Sequence, residues 1–313
     1  MTERPTIEQF RELAARLPAI LHFGTSSWTY PGWTGLIYQK EYPKTGSSAP
    51  MLEEYARFPL FRTVGIDSTF YAPPSAAMLE SYAWALPPGF PCVSKVWDRI
   101  TVHTFSKARY KATGGELNPD FLNAELFKAE VLEPYQAHFA GHMGPFVFEF
   151  QTIARAAKLT GLAFADLLDS FFSKLPRDVP YAVELRNREY LAPPYFAVLR
   201  EHNVAHVFNS WTRMPPVGEQ AEIPGAFSAP FTVARILLRP GRTYSDAVDA
   251  FAPYDRVHDR NPELRHDVAQ LIRQAAALRI PAYILVNNRA EGSAPLTIAA
   301  IAALLTDAAP ANA

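Results

Sequence analysis

The chain has one cysteine, Cys92. A lone cysteine excludes an internal disulfide framework and suits a reducing compartment. Neither sign of charge dominates: 30 Lys and Arg meet 31 Asp and Glu, for a formal net charge of -1. A general nucleic-acid binder carries a basic domain, so no nucleic-acid partner is expected. No apolar run approaches the roughly 18 residues of a membrane span, and no membrane partner is expected. The opening Met1-Thr2-Glu3-Arg4-Pro5 lacks the basic-then-apolar pattern of a leader, which points to the cytoplasm. Glycine is scarce beside proline, 15 against 28, so the loops are expected to be stiff and shaped. No GxGxxG, phosphate-loop or nucleophile-elbow motif occurs. Nucleotide-dependent redox chemistry, kinase chemistry and serine hydrolysis therefore lack support.

What is present is a long alternation. The chain has 313 residues, 49% hydrophobic and 19% charged, enough to bury a substantial core. Eight β-like runs stand out: His22–Trp28, Thr63–Tyr71, Pro91–Trp97, Pro145–Gln151, Tyr181–Asn187, Ala205–Trp211, Phe231–Arg239 and Ala282–Asn288. Helix-like stretches separate them at Pro50–Phe58, Ser75–Ala85, Asn118–Phe139, Gly161–Leu175, Pro193–Glu201 and Glu263–Leu278, with Ala294–Leu305 after the last run. Repeated strand–helix units imply a parallel sheet. Eight of them fit an α/β fold of the (β/α)₈ TIM-type barrel. A doubly wound open sheet would need strands apolar on both faces, whereas several here carry charges at alternate positions. An amphipathic helix at Thr6–Leu17 would cover the barrel floor. The expected organisation is an N-terminal helical extension over 1–20, one barrel over 21–306 and a tail over 307–313.

Strand alternation selects the candidate site. If Val183 and Leu185 face the helices, Glu184 and Arg186 point into the barrel. The same parity sends Phe148 and Phe150 outward and Glu149 and Gln151 inward. It also turns Lys95 and Trp97, Asp67 and Thr69, and Asn287 inward. Arg235 and Arg239 share a face of the seventh run, and parity does not say which is inward. These residues lie near the C-terminal strand ends, where barrel enzymes place their chemistry. An architectural alternative is a satisfied polar plug in which Glu184 pairs with Arg186 or Lys95. So many charges are costly to bury for structure alone, which favours a polar pocket.

Aromatic residues cluster at the same end. Trp28, Trp97, Trp211 and Tyr71, with Trp33, fall at strand ends or just beyond. Their rings suit stacking on a sugar face or nucleobase, or they cap the core. The long loops His103–Pro119, Thr212–Pro230 and Pro240–Pro262 read as lids or binding loops. After the eighth run, Asn287, Asn288 and Gly292 precede Ser293, a plausible helix N-cap whose free amides favour an anion. His138 and His142 have the i,i+4 spacing of helix ligands, but they belong to the barrel floor. The other histidines show no ligand spacing, and no metal or other cofactor is expected. Cys92 reads as a small buried strand residue.

The stretch Gly24-Thr25-Ser26-Ser27-Trp28-Thr29-Tyr30-Pro31-Gly32-Trp33-Thr34-Gly35-Leu36-Ile37-Tyr38 resembles the opening signature of the YecE-like proteins, the domain of unknown function seventy-two. Further matches are Asp67-Ser68-Thr69-Phe70-Tyr71, Val93-Ser94-Lys95-Val96, Ala182-Val183-Glu184-Leu185-Arg186 and Asn287-Asn288 with Gly292-Ser293-Ala294. The resemblance spans roughly residues 21–306 and implies a (β/α)₈-type barrel, in agreement with the strand count. It implies no activity. Family members tend to carry Glu and Asn where this chain has Gly65 and Asp67, and Gln where it has Glu149. An Ile-Thr-His sequence of the family is displaced here into Ile100-Thr101-Val102-His103. A shifted site and a degenerate one both fit these departures.

Two function classes follow. One is a hydrolase or lyase acting on a sugar-like or phosphate-bearing small molecule. Glu149 and Glu184 would stand about 5 Å apart, as in a nucleophile and acid/base pair, with Lys95 and Asp67 beside them. Arg186 and Arg239 would bind the anionic part, with Asn287, Asn288, Trp28, Tyr71, Trp97 and Trp211 completing the ligand site. The other class is a non-catalytic barrel that binds an anionic metabolite.

Overall fold

The computed structural model describes residues 5–43, 45–107, 109–239, 241–242 and 244–307. Six residues of the expected tail, 308–313, lie outside that set, as does Pro240 in the loop after the seventh strand. The eight strands are β1 (Leu21–Thr25), β2 (Val64–Ile66), β3 (Cys92–Lys95), β4 (Met143–Phe150), β5 (Tyr181–Leu185), β6 (Ala205–Ser210), β7 (Thr232–Ile236) and β8 (Ala282–Val286). All ladders are parallel, in the order β1-β8-β7-β6-β5-β4-β3-β2. The result is a nearly closed TIM-like α/β barrel.

Helices α1 (Ile7–Ala15), α2 (Ser48–Tyr55) and α3 (Ala76–Ala85) are followed by a turn, α4 (Asp98–Thr101). Next come α5 (Ala124–Phe127), α6 (Glu133–His138), α7 (Gly161–Phe172) and α8 (Pro193–Glu201). The last third holds α9 (Val217–Ala221), α10 (Tyr244–Phe251), α11 (Pro262–Ala277) and α12 (Ala294–Asp307). The expected single helix over 118–139 begins only at Ala124, where Asn123 accepts from the Leu126 amide. A π turn, Lys128–Leu132, joins α5 to α6. Pro134 has no amide hydrogen to give the Glu130 carbonyl, so the ladder shifts there. The loops after β6 and β7, expected to be irregular, contain α9 and α10.

The seam between β1 and β2 has no ladder. Instead the Arg62 and Thr63 amides both donate to the Phe23 carbonyl, at 2.8 and 3.2 Å. Glycine makes that approach possible: a Cβ on Gly24 would sit 2.2 Å from the Thr63 carbonyl oxygen. Behind the seam, the Tyr55 hydroxyl meets the Thr25 amide at 2.9 Å and the Thr63 carbonyl at 3.1 Å. The N-terminal helix α1 opens on a capping box at Thr6 and Gln9. It packs against α12 and, through Phe10, against Phe58.

The core has two layers. Outward-facing Phe146, Phe148 and Phe150 of β4 meet Phe127, Phe164, Phe171 and Phe172 of the surrounding helices. Inside the barrel, Val93, Val147, Ala182, Val207, Val233 and Leu285 fill the lower half. Among the outward positions, one is a titratable imidazole. His206 of β6 is buried, its Nδ1 3.0 Å from the Tyr195 hydroxyl and its Nε2 3.3 Å from Gln220 Oε1. Burial pushes this imidazole down to about 4, although Gln220 partly opposes the shift. The folded state therefore takes up fewer protons than the unfolded chain between about pH 6.5 and 4. Stability should fall as pH drops through that window, by a few kcal/mol on the scale of about 1.4 kcal/mol per pH unit. Urea melts across the window should show the fall, and His206→Gln should flatten it.

Candidate functional site

Parity holds wherever the chain is still a strand. Glu149 of β4 and Glu184 of β5 are register partners, and both turn inward. Arg235 of β7, register partner of Asn209, points at them from across the barrel. Asp67 begins a 3₁₀ turn immediately after β2. Lys95 ends β3, and Arg186 follows β5 by one residue.

These six side chains form one ion-pair network. Glu149 Oε2 accepts from Lys95 Nζ at 2.8 Å, Arg186 Nη2 at 3.0 Å and Arg235 Nη1 at 3.1 Å. Glu184 pairs with Arg186 Nη2 at 2.6 Å and also takes Arg235 Nη1. Arg235 Nη2 reaches Asp67 Oδ2 at 2.6 Å. Three cations thus face three carboxylates, and the cluster is charge-balanced. Burial alone would raise the Glu149 carboxyl. Lys95, Arg186 and Arg235 outweigh burial and hold it well below the usual carboxylate range. Burial likewise opposes the charge of Arg235, but Asp67, Glu184 and Glu149 hold it protonated.

Above the network lies a cavity of about 280 Å³. Asp67, Lys95, Glu149, Arg186 and Arg235 form its base. Tyr30, Phe70, Tyr71 and Trp211 wall it, and Gln151, Asn287 and Arg289 stand at its rim. Lys95 Nζ lies 3.8 Å from the Phe70 ring centre, and the Arg186 guanidinium 4.2 Å from that of Trp211. The three carboxylates differ in access: the side chains are 28% exposed for Asp67, 9% for Glu149 and 0% for Glu184. Glu184 does not line the cavity. It lies beneath, holding two arginines.

Several expected site residues lie elsewhere. Strand β7 ends at Ile236, so parity no longer governs Arg239, which is 44% exposed and paired with Asp259 at 2.8 Å. Trp28 lies three residues past β1, buried, its indole donating to the Ser48 carbonyl and its ring edge-on to Tyr82. Trp97, two residues past β3, packs half-buried against the core. Asn288 caps α12, accepting from the Ala294 amide at 2.8 Å. The anion site expected at Ser293 is closed: Ser293 is buried, and the backbone of Arg256 and His258 lies directly over Gly292. Asn287, Tyr71 and Trp211 do line the cavity.

Strand parity leaves Arg235 undecided and does not point to Ser26, Tyr30, Phe70 or Arg289, all of which line the cavity. Arg235 and Arg239 have the same parity, so alternation does not choose between them; β7 ends at Ile236, before Arg239. Ser26 and Tyr30 belong to the opening motif, which was their signal. The Ser26 hydroxyl, buried at the cavity, has no protein partner among the described residues. On the floor, His138 pairs with Glu80 and His142 with the Phe90 carbonyl. No cluster of three or more His, Cys, Asp or Glu among the described residues could hold a metal ion. Cys92 is buried, and burial raises its thiol. No helix among the described residues is long and apolar enough to cross a membrane.

A family model described as "Protein of unknown function DUF72" matches residues 22–313. The chain belongs to this family. Among solved structures, a DUF72 protein of Enterococcus faecalis superposes with a TM-score of 0.61 at 16% identity, covering 93% of this chain and 96% of that one. A DUF72 protein of Thermotoga maritima gives 0.59 at 17% identity, covering 92% and 98%. Both share the DUF72 barrel. Comparison with the curated proteins finds no match.

The network predicts a stability cost at Arg186. Replacing it by Met leaves Glu184 buried with one partner fewer, which should cost about 3–5 kcal/mol in denaturant melts. Glu149→Gln should also destabilise near neutral pH. A depressed carboxyl contributes stability above the unfolded value of 4.5 and loses it as pH falls below. The gap between parent and Glu149→Gln should therefore narrow in melts taken progressively below pH 4.5.

Proposed function

We propose that this DUF72 barrel is a lyase acting on a small, neutral, sugar-like molecule that carries a carbonyl group. The observation that carries this reading is unequal access. Asp67 alone among the three carboxylates keeps a substantially exposed side chain, and it faces a cavity whose base also presents Lys95. Glycoside hydrolysis by a carboxyl pair needs one carboxylic acid kept protonated. Three cations around Glu149 act in the opposite sense, and Glu184 is out of reach. Proton abstraction beside a carbonyl has no such requirement.

In this reading Asp67 removes the proton α to the carbonyl. Lys95 meets the charge that develops on the carbonyl oxygen. The electron pair of the broken C–H bond forms a C=C bond as the β-hydroxyl departs, taking the proton back from Asp67 to leave as water. Arg186 and Arg235 fix the carboxylates, while Trp211, Tyr71 and Phe70 give apolar faces to the ring or chain. A phosphate-bearing substrate fits less well. The base of the cavity is charge-balanced, Arg239 is turned away onto Asp259, and the α12 start is covered.

A non-catalytic binder is the competing reading, favoured by the completeness of the ion pairing. A panel of aldoses, ketoses, aldonates and uronates separates the two. The lyase should convert at least one neutral sugar to the deoxy-dicarbonyl that the enol product gives on tautomerisation, detected as its adduct with an aromatic 1,2-diamine. Asp67→Asn should lose that turnover by about 10²-fold or more, the usual scale of an acid–base group, while still binding the sugar. Thermal protection without product would establish the binder. Neither protection nor product across the panel would overturn both.

A further inference from the structure

The central cavity has a neighbour that the proposed chemistry does not use. A second pocket of about 450 Å³ lies between the loop after β3 and the segment after β4. Gln151 lines both spaces. It is exposed. The pocket has apolar surfaces from Val102, Leu117, Ile153 and Ala156, with His103 on its polar side. Leu117 is otherwise an exposed large hydrophobic residue at 69%.

This wall is held in shape by the fold. Thr104 and Leu117 form an antiparallel bridge. Across it, the Phe105 amide donates to the Glu116 carbonyl at 3.0 Å and the Gly115 amide to the Phe105 carbonyl at 2.8 Å. Asn118 anchors the return of the loop, donating to the Arg99 and Val102 carbonyls at 2.7 Å each. Further along, buried Asp98 receives Arg109 at 2.5 Å and the Tyr110 hydroxyl at 2.7 Å. Arg109 in turn donates to the Tyr71 carbonyl at 2.6 Å, at the wall of the central cavity. One strapped loop thus shapes both spaces.

We infer that the second pocket is a subsite for a second sugar-like unit, so that the ligand is a two-unit molecule lying across Gln151. The inference rests on the proposed sugar-like reading of the central cavity. That cavity holds one monosaccharide-sized unit with its reactive carbonyl over Asp67 and Lys95. The neighbouring pocket presents the mixed lining a second ring needs, with apolar side chains for its C–H face and polar groups for its hydroxyls. Gln151, able to donate and accept at once, stands where the linkage would cross.

The test compares monosaccharides with disaccharides built from them: glucose with maltose and cellobiose, galactose with lactose. Titration calorimetry on the parent protein should give at least one disaccharide bound about tenfold or more tighter than its component monosaccharide. In Ala156→Trp, which fills the second pocket, the disaccharide-to-monosaccharide affinity ratio should fall to about one. Gln151→Ala, which removes the amide at the crossing, should lower the same ratio. Because the readout is a ratio within one protein, a general loss of stability does not mimic it. Monosaccharide binding with no gain for any disaccharide would overturn the second subsite and leave the functional reading standing. An undiminished ratio in Ala156→Trp would also overturn the subsite. Failure of every monosaccharide and disaccharide to bind would remove the sugar-like reading and the subsite together.

Discussion

The barrel mouth depends on one guanidinium. Arg235 on β7 reaches three carboxylates that belong to three other places in the barrel: Asp67 after β2, Glu149 on β4 and Glu184 on β5. It is among the largest fully buried side chains of the protein. A planar fork with two terminal nitrogens can serve carboxylates in different directions at once, and an ammonium on a single flexible stem cannot. Burying such a charge is unfavourable unless each of its partners is present. The six-residue network is therefore a unit, and removal of one member strands the others.

The unit also divides its members by access. Glu184 is sealed beneath the network, Glu149 lines the cavity but is saturated by three cations, and Asp67 keeps the most exposed side chain of the three carboxylates. This division comes from backbone geometry. Glu149 and Glu184 sit on adjacent strands at the same height, where the interior is narrow and packed. Asp67 sits just past a three-residue strand, where the chain has already turned into a 3₁₀ helix and opened outward.

The legible part of this arrangement was the part governed by strand alternation. Glu184, Glu149 and Lys95 lie within strands, and their inward direction followed from the apolar partners on either side. Arg186 and Asn287 lie one residue beyond a strand end, still close enough for parity to hold. Trp28, Trp97, Asn288 and Arg239 lie two or three residues beyond, after the chain has turned, and alternation carries no information there. The runs read from sequence were longer than the ladders because apolar residues continue into the top loops, as in Leu237 and Leu238 after β7. Arg235 was ambiguous for a different reason: it shares its parity with Arg239, and only the end of β7 at Ile236 separates the two. The charge balance was not legible at all, since it depends on which arginine of the seventh run turns inward.

The choice of arginine changes what the pocket can recognise. With Arg239 inward, the pocket would have carried positive charge toward the loops where barrels commonly bind phosphate. With Arg235 inward, the positive charge is used against carboxylates from across the barrel, and the base of the cavity is left balanced beneath aromatic walls and a polar rim that includes Arg289. Selectivity must then come from shape and hydrogen bonding. The elements that supply shape are the rings of Trp211, Tyr71 and Phe70 and the strapped loop after β3. Tyr71 is itself held by Arg109, which is locked to buried Asp98. The loop and the cavity wall are therefore mechanically joined above a base that the ion-pair network keeps fixed. Changes in the loop can alter what enters the cavity without disturbing the arginine on which the barrel mouth depends.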